Sequence, residues 1–218
     1  MHAHACWVRW NCTGSLGLPG AHNHEGFTVT RTIGYIVGSI SSTSINRRLA
    51  RVLANLAPEG TELVEIPIKD LPFYSPDFDG NFPQVALDYK QAIADVDGVI
   101  IVTPEYSRSI PGVLKNALDW STRPYGDMSF YGKPTAVIGT SGSGIATAAA
   151  QQHLRAILGH FSAVTMGQPE GFIQDRPGLF TEDGQVTDDS TAGFLSGYLE
   201  AFNALISRVQ HSAELVNA

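Results

Sequence analysis

Cysteine is scarce in this chain: two among 218 residues, Cys6 and Cys12, both near the N-terminus. That scarcity excludes a disulfide-built secreted scaffold and points to a reducing, cytoplasmic address. Positive charge is also in short supply. There are 14 Lys and Arg against 21 Asp and Glu, and the formal charge of -7 has the wrong sign for a protein that draws its affinity from nucleic-acid phosphates. No apolar run reaches bilayer-spanning length, so no membrane partner is expected. Residues 1–28 carry His, Gly and Trp without periodicity and lack the apolar stretch of a signal peptide, so they read as a disordered leader. His2, His4, His22, His24 and the two cysteines lack the tight pairing on a structured turn that zinc requires, and no metal site is expected. Residues 29–218 are long enough to enclose one sizeable core and are expected to form a single domain.

From Arg31 onward, short β-branched runs alternate with longer helical patterns, the signature of βα units feeding a parallel sheet. Strands are expected at TIGYIV (32–37), ELVEIPI (62–68), GVIIVT (98–103) and PTAVIGT (134–140), with a fifth near 162–166. The third run is apolar without alternation, which fits a central strand covered on both faces. Helices are expected over 44–56, 84–94, 111–120, 143–158 and 190–209. Pro111 suits the first turn of the third of these, and Lys115 and Asp119 can pair one turn apart. Gly159 suits a left-handed cap ending the fourth, and TEDGQVTDD reads as a hairpin-like stretch before the last. The predicted fold is α/β, a doubly wound five-stranded parallel sheet of order 2-1-3-4-5 with helices on both faces. Ligands of such sheets lie outside the carboxyl ends of the strands, near the switch point between strands one and three.

Three loops at that end are chemically unusual. GSISSTSINRRLA places Ser39, Ser41, Ser42, Thr43 and Ser44 between a strand end and a helix start, where free N–H groups and the helix dipole attract an anion. Neither the Gly-Lys-Ser/Thr of a triphosphate loop nor GxGxxG is present, so a single terminal phosphate held by neutral donors fits better. A plainer alternative has Ser44 only capping the helix, with the other hydroxyls solvated. In TPEYSRSIPGVLKNALDW the chain leaves the sheet abruptly at Pro104, freeing N–H groups against which a flat heteroaromatic ring can lie near Tyr106. The alternative is a solvated Glu105–Arg108 ion pair with Tyr106 as a surface packer. GTSGSGIATAAAQQHLRAIL lets the backbone approach a ligand closely at its glycines, and its lone His153 is set aside as a packed or surface residue.

Together these segments resemble the NADPH-dependent FMN reductase family, the flavodoxin-like group that includes quinone and chromate reductases. PEYSRSIPGVLKNALDW is the most specific part, LPFYSPDF and LFTEDGQVTDD add to it, and the likeness covers about residues 30–209. It implies FMN as cofactor, with phosphate contacts from Ser39, Ser44 and Asn46, a backbone donor at Ile45, and Ser41 in the same cradle. Pro104, Glu105, Tyr106 and Ser107 would meet the isoalloxazine, and Ser141 and Gly142 would close its far edge. It further implies NADPH or NADH as reductant, quinones, azo compounds, chromate or free flavin as small-molecule acceptors, and a homodimer or homotetramer. The Ala-rich fourth helix and the aromatic stretch 73–78 are candidate contact surfaces. Many relatives have Arg at the position of Ser41, Asn at that of Ser107 and Pro-Gly-Arg at that of Gly142, Ser143 and Gly144; Arg47 or Arg48 could supply the missing charge. A flavodoxin-type electron carrier and a non-catalytic module of the same fold are the alternatives in other functional classes.

Overall fold

In the computed structural model the structure describes residues 31–217. The expected leader, with Cys6, Cys12 and the four early histidines, lies outside the described residues. The strands are β1 (Arg31–Val37), β2 (Thr61–Glu65), β3 (Gly98–Val102), β4 (Pro134–Ser141), β5 (Val164–Thr165) and β6 (Gly171–Gln174). The helices are α1 (Ile45–Asn55), α2 (Gln84–Ala94), α3 (Gly112–Trp120), α4 (Ala148–His160) and α5 (Asp189–Asn217).

The sheet is parallel in the order β2-β1-β3-β4-β5, as the alternation of elements predicts. One strand more than the expected five is present: β6 also pairs with β4, at Ile138 to Ser141, whereas β5 pairs only with Pro134 and Thr135. The two thus form one interrupted edge. Side chains of α4 grip both lips of the break, Arg155 donating to the Met166 carbonyl at 2.7 Å and Gln151 to the Gly171 carbonyl at 2.8 Å.

Every residue of β3 is buried, so its apolar run without alternation is explained by helices on both faces. Ile101, Val99 and Val137 pack with Leu114, Leu118 and Leu154 from α3 and α4. Ile100, Val102 and Ile138 pack with Leu49 and Leu53 of α1 and Tyr198, Phe202 and Ile206 of α5. Each such fully buried side chain contributes about 1.5–3 kcal/mol of burial free energy.

Helix boundaries depart from expectation in α3, α4 and α5. Pro111 is the cap of α3 with extended backbone, one residue before the first turn. The fourth helix begins at Ala148 rather than 143, because Ala146 takes a φ of 50° that no helix can carry. It continues through Gly159 to His160, and the left-handed residue behind it is Ser162, with φ 57°. The last helix runs to Asn217, beyond the expected 209. Lys115 and Asp119 pair at 2.5 Å, and the bridge between Phe180 and Val186 confirms the hairpin-like stretch.

The aromatic stretch proves to be mostly intrachain packing. Tyr74, Phe78 and Phe82 surround the buried Trp120, whose indole N–H donates to the Pro72 carbonyl at 2.7 Å. Phe73 alone of this group points outward, 85% exposed.

Candidate functional site

The parallel order brings the loops after β1, β3 and β4 to one end of the sheet, and short bonds lock them together. Gly38 N–H donates to the Val102 carbonyl at 2.9 Å, and Thr103 N–H to the Ile138 carbonyl at 2.9 Å. Gly139 is required for this closeness, since a Cβ there would lie 2.0 Å from the Thr103 carbonyl oxygen and 2.6 Å from the Thr147 hydroxyl. Asn46 adds a third tie, its amide donating to the Thr140 carbonyl at 2.9 Å and accepting from the Thr140 N–H at 3.0 Å. The Asn46 side chain is thus buried against Thr140, while its backbone N–H has no acceptor among the described residues.

In the first loop, Ser44 has extended backbone and its hydroxyl accepts from the Arg47 N–H at 3.3 Å, so it does cap α1. The N–H groups of Ile45 and Asn46, the first two of the helix, have no acceptor among the described residues. Ser39 is buried and its hydroxyl accepts from the Ser41 N–H at 3.3 Å; Ser41 is exposed and its hydroxyl lies 3.3 Å from that of Thr43. The result is a neutral concavity of hydroxyls and amides at a positive helix end, suited to an anion. Arg47 and Arg48, the suggested sources of positive charge, are both engaged with carboxylates. Arg47 donates to both Glu65 oxygens at 2.7 and 2.9 Å, and Arg48 pairs with Glu182.

In the second loop, Tyr106 and Ser109 exchange two backbone hydrogen bonds of 3.0 Å across Ser107 and Arg108, whose φ values are 51° and 64°. This is a two-residue turn with both central residues left-handed, a type usually built from Asn and Gly. Glu105 is not a solvated partner of Arg108 alone. Its side chain is 8% exposed, and while one oxygen pairs with Arg108 at 3.2 Å the other accepts from the Ala150 N–H at 3.1 Å, capping the first turn of α4. Pro104 is buried and Tyr106 is 54% exposed, leaving its ring open to solvent.

In the third loop, the Ser141 hydroxyl donates to the Ala146 carbonyl at 2.7 Å and accepts from the Ser143 N–H at 3.2 Å. Gly142 has open space around it. The sequence reading missed the tie from Glu105 to α4 and the contact between the Ser109 hydroxyl and His153 Nδ1 at 2.6 Å. Partners some 45 residues apart leave no local signal, and a lone histidine is a poor one.

Cavities of 570 and 440 Å³ open elsewhere, one against α3 and α4 at Lys115 and Ile157, the other between β6 and α5 at Phe172 and Phe194. Neither lies between the three loops. A planar ring that two partners must reach in turn needs an open ledge rather than an enclosed chamber, so the strand ends remain the better site on chemistry.

Known proteins are similar to this chain in sequence and in fold. The chain is 45% identical over 174 residues to a 2-hydroxy-1,4-benzoquinone reductase of Burkholderia sp, spanning 80% of this chain and 95% of the relative. It is 39% identical to a quinone reductase of Escherichia coli (strain K12), spanning 80% and 95%. Among solved structures, FerB, a flavoenzyme NAD(P)H:(acceptor) oxidoreductase from Paracoccus denitrificans, superposes with a TM-score of 0.78 at 44% identity, over 82% of this chain and 98% of that one. The profile described as NADPH-dependent FMN reductase matches residues 31–176, the span from β1 through β6 that carries all three loops, and the chain belongs to that family.

Proposed function

We propose that this protein is an NAD(P)H-dependent FMN-containing oxidoreductase that reduces quinones. Its membership of the FMN reductase family and its likeness to quinone reductases and to FerB support the activity. One observation supports the placing of the cofactor: the N–H groups of Ile45 and Asn46 have no acceptor among the described residues and lie at the same end of the sheet as the Tyr106–Ser109 turn. A donor set of amides and hydroxyls with no free cation fits a single phosphate monoester at the tail of a flat ring.

Ile45 and Asn46 would bind the phosphate through their N–H groups, assisted by the Ser39, Ser41 and Ser44 hydroxyls. The backbone from Pro104 to Ser107 would hold the polar edge of the ring, with Tyr106 beside it and Ser141 and Gly142 at the far edge. When bound, FMN supplies the redox chemistry, taking hydride from the nicotinamide and delivering electrons to the acceptor. The protein fixes the ring, keeps one face reachable and needs no acid–base triad of its own. Reductant and acceptor would use that face in turn.

We place the protein in the cytoplasm and assign it a homo-oligomeric state, a dimer or tetramer. Exposed Phe73, Tyr125 and Tyr131 provide apolar surface for such contacts. Among the described residues no helix is long and apolar enough to cross a membrane. Chromate, azo compounds and free flavin are further acceptors for an open site.

The test is a visible spectrum of the purified protein with FMN, taken before and after NADPH is added without oxygen, followed by a benzoquinone. A bound-flavin spectrum that bleaches with NADPH and returns with quinone is expected, with parallel double-reciprocal plots in steady state. Protein that leaves FMN free in solution would refute the site; protein that holds FMN but does not bleach would be an electron carrier instead.

A further inference from the structure

The Tyr106–Ser109 turn is held in a conformation that its own residues disfavour. Ser107 and Arg108 both sit in the left-handed region, where a Cβ crowds the backbone, and a non-glycine pair stays there only when its surroundings hold it. The surroundings that hold it belong to α4. At the near end of the turn, Glu105 accepts from the Ala150 N–H at 3.1 Å. At the far end, the Ser109 hydroxyl meets His153 Nδ1 at 2.6 Å. Ala150 and His153 are three residues apart and so share one face of the helix. Arg108 closes the remaining side on Glu105 at 3.2 Å.

Among the described residues, the other two loops have no comparable side-chain pin at their tips. The serine-rich loop is braced by its own hydroxyls, Ser39 to Ser41 and Ser41 to Thr43, and the third loop by Ser141 on Ala146. Of the three loops, and among the described residues, the second is the one pinned at both ends by side chains that reach between it and a helix. His153 belongs to the outer side of this arrangement, where it also lines the 570 Å³ cavity with Lys115, Asp119 and Arg123.

We infer that His153 is a positioning residue of the flavin site: acting through Ser109, it fixes the left-handed turn on which the ring rests. This deepens the proposed function and depends on it. His153 touches neither flavin nor substrate. It sets the direction in which the backbone between Glu105 and Ser107 faces the crevice, and loosening it lets the turn relax toward right-handed geometry and withdraw its donors.

The experiment titrates FMN into the full-length protein and into Ser109→Ala, His153→Ala, the double variant and His153→Gln. It records the dissociation constant, the long-wavelength band of bound FMN and the melting temperature without FMN. Each alanine variant is expected to weaken FMN about five- to tenfold, the effect of losing one hydrogen bond that orders a binding segment. The double variant should be no weaker than the worse single one, the band should shift, and glutamine, which can still meet the Ser109 hydroxyl, should recover most of the affinity. The melting temperature without FMN should stay near that of the parent, since Ser109 and His153 lie at the surface. Parent-like affinity and band in both single variants, or penalties that add, would overturn the inference while leaving the flavin site intact. Failure of the parent protein to bind FMN would instead remove the reading on which it rests. Should His153→Ala not fold, Ser109→Ala decides alone by the same criteria.

Discussion

At φ 51° and 64°, Ser107 and Arg108 carry a cost of about 1–2 kcal/mol each that Asn and Gly would largely avoid. The pair Ser107→Asn with Arg108→Gly also gives up the Arg108–Glu105 ion pair and adds the entropy cost of a glycine, so the net gain expected is about 1 kcal/mol, or roughly 2–4 °C in melting temperature for a domain of this size. Thermal melts with and without FMN check this, and unchanged or lower melting would mean that the turn is paid for by contacts from Arg108 that outweigh the backbone. The residue types of this turn were legible in the sequence, including its departure from the asparagine of many relatives, but its left-handed geometry was not. Asn46 shows the same limit. The resemblance implied a phosphate contact from Asn46, yet its amide is held by Thr140, 94 residues away, and only the fold brings that partner within reach. What a polar side chain does is decided by whichever complementary group arrives first, and in Asn46 and Glu105 that group lies on a distant element.

Among the elements, α2 spans Gln84–Ala94 where its helical pattern put it, and β3 begins at Gly98, where its unbroken apolar run starts. The edge of the sheet was harder. β5 has two residues and β6 four, starting with a glycine, so neither offers a period, and both are strands only because β4 extends past them. The start of α4 was placed too early because the Ala-rich run from Ala146 reads as helix, whereas Ala146 has a φ of 50° and its carbonyl is taken by the Ser141 hydroxyl. Gly139 links these strands to the site. In Gly139→Ala the new methyl would meet the Thr103 backbone, which cannot swing aside, so β3 and β4 must part at their carboxyl ends. A loss of ~3 kcal/mol in urea unfolding is expected, the upper end for overpacking, with FMN affinity falling in step. Full stability would show that the strands are free to slide.

The helix α5 supplies a pH-dependent case. Asp188 accepts from the Thr191 hydroxyl at 2.6 Å and from the Thr191 N–H at 2.8 Å, and these two bonds hold its carboxyl below the ordinary range against the opposing effect of burial. Because the folded value is the lower one, the stability it contributes is complete above the unfolded value, about pH 4, and is lost as pH falls through the folded value. Asp188→Ala should thus lower the melting temperature at pH 7, and the gap to the parent protein should shrink as the medium is acidified below pH ~4. A gap that is constant across that range would assign the effect to helix propensity rather than to the charged cap.

For the whole molecule, the formal charge of -7 opposes the approach of any phosphate, and the guanidinium groups nearest the cradle are engaged elsewhere, Arg47 with Glu65, Arg48 with Glu182 and Arg108 with Glu105. Binding of a phosphate here would rest on short-range N–H and O–H donors, whose strength salt barely alters, while the long-range repulsion is screened within about 10 Å at 0.1 M salt. The two effects combine into a distinctive signature. FMN affinity should change by less than about twofold between low salt and 0.5 M sodium chloride, and the association rate should rise rather than fall. Arg47→Gln and Arg48→Gln should leave the dissociation constant close to that of the parent protein, because neither side chain is available to the ligand. A steep weakening with salt, together with a large penalty in either arginine variant, would mean that a guanidinium leaves its carboxylate on binding and that the cradle is cationic when occupied.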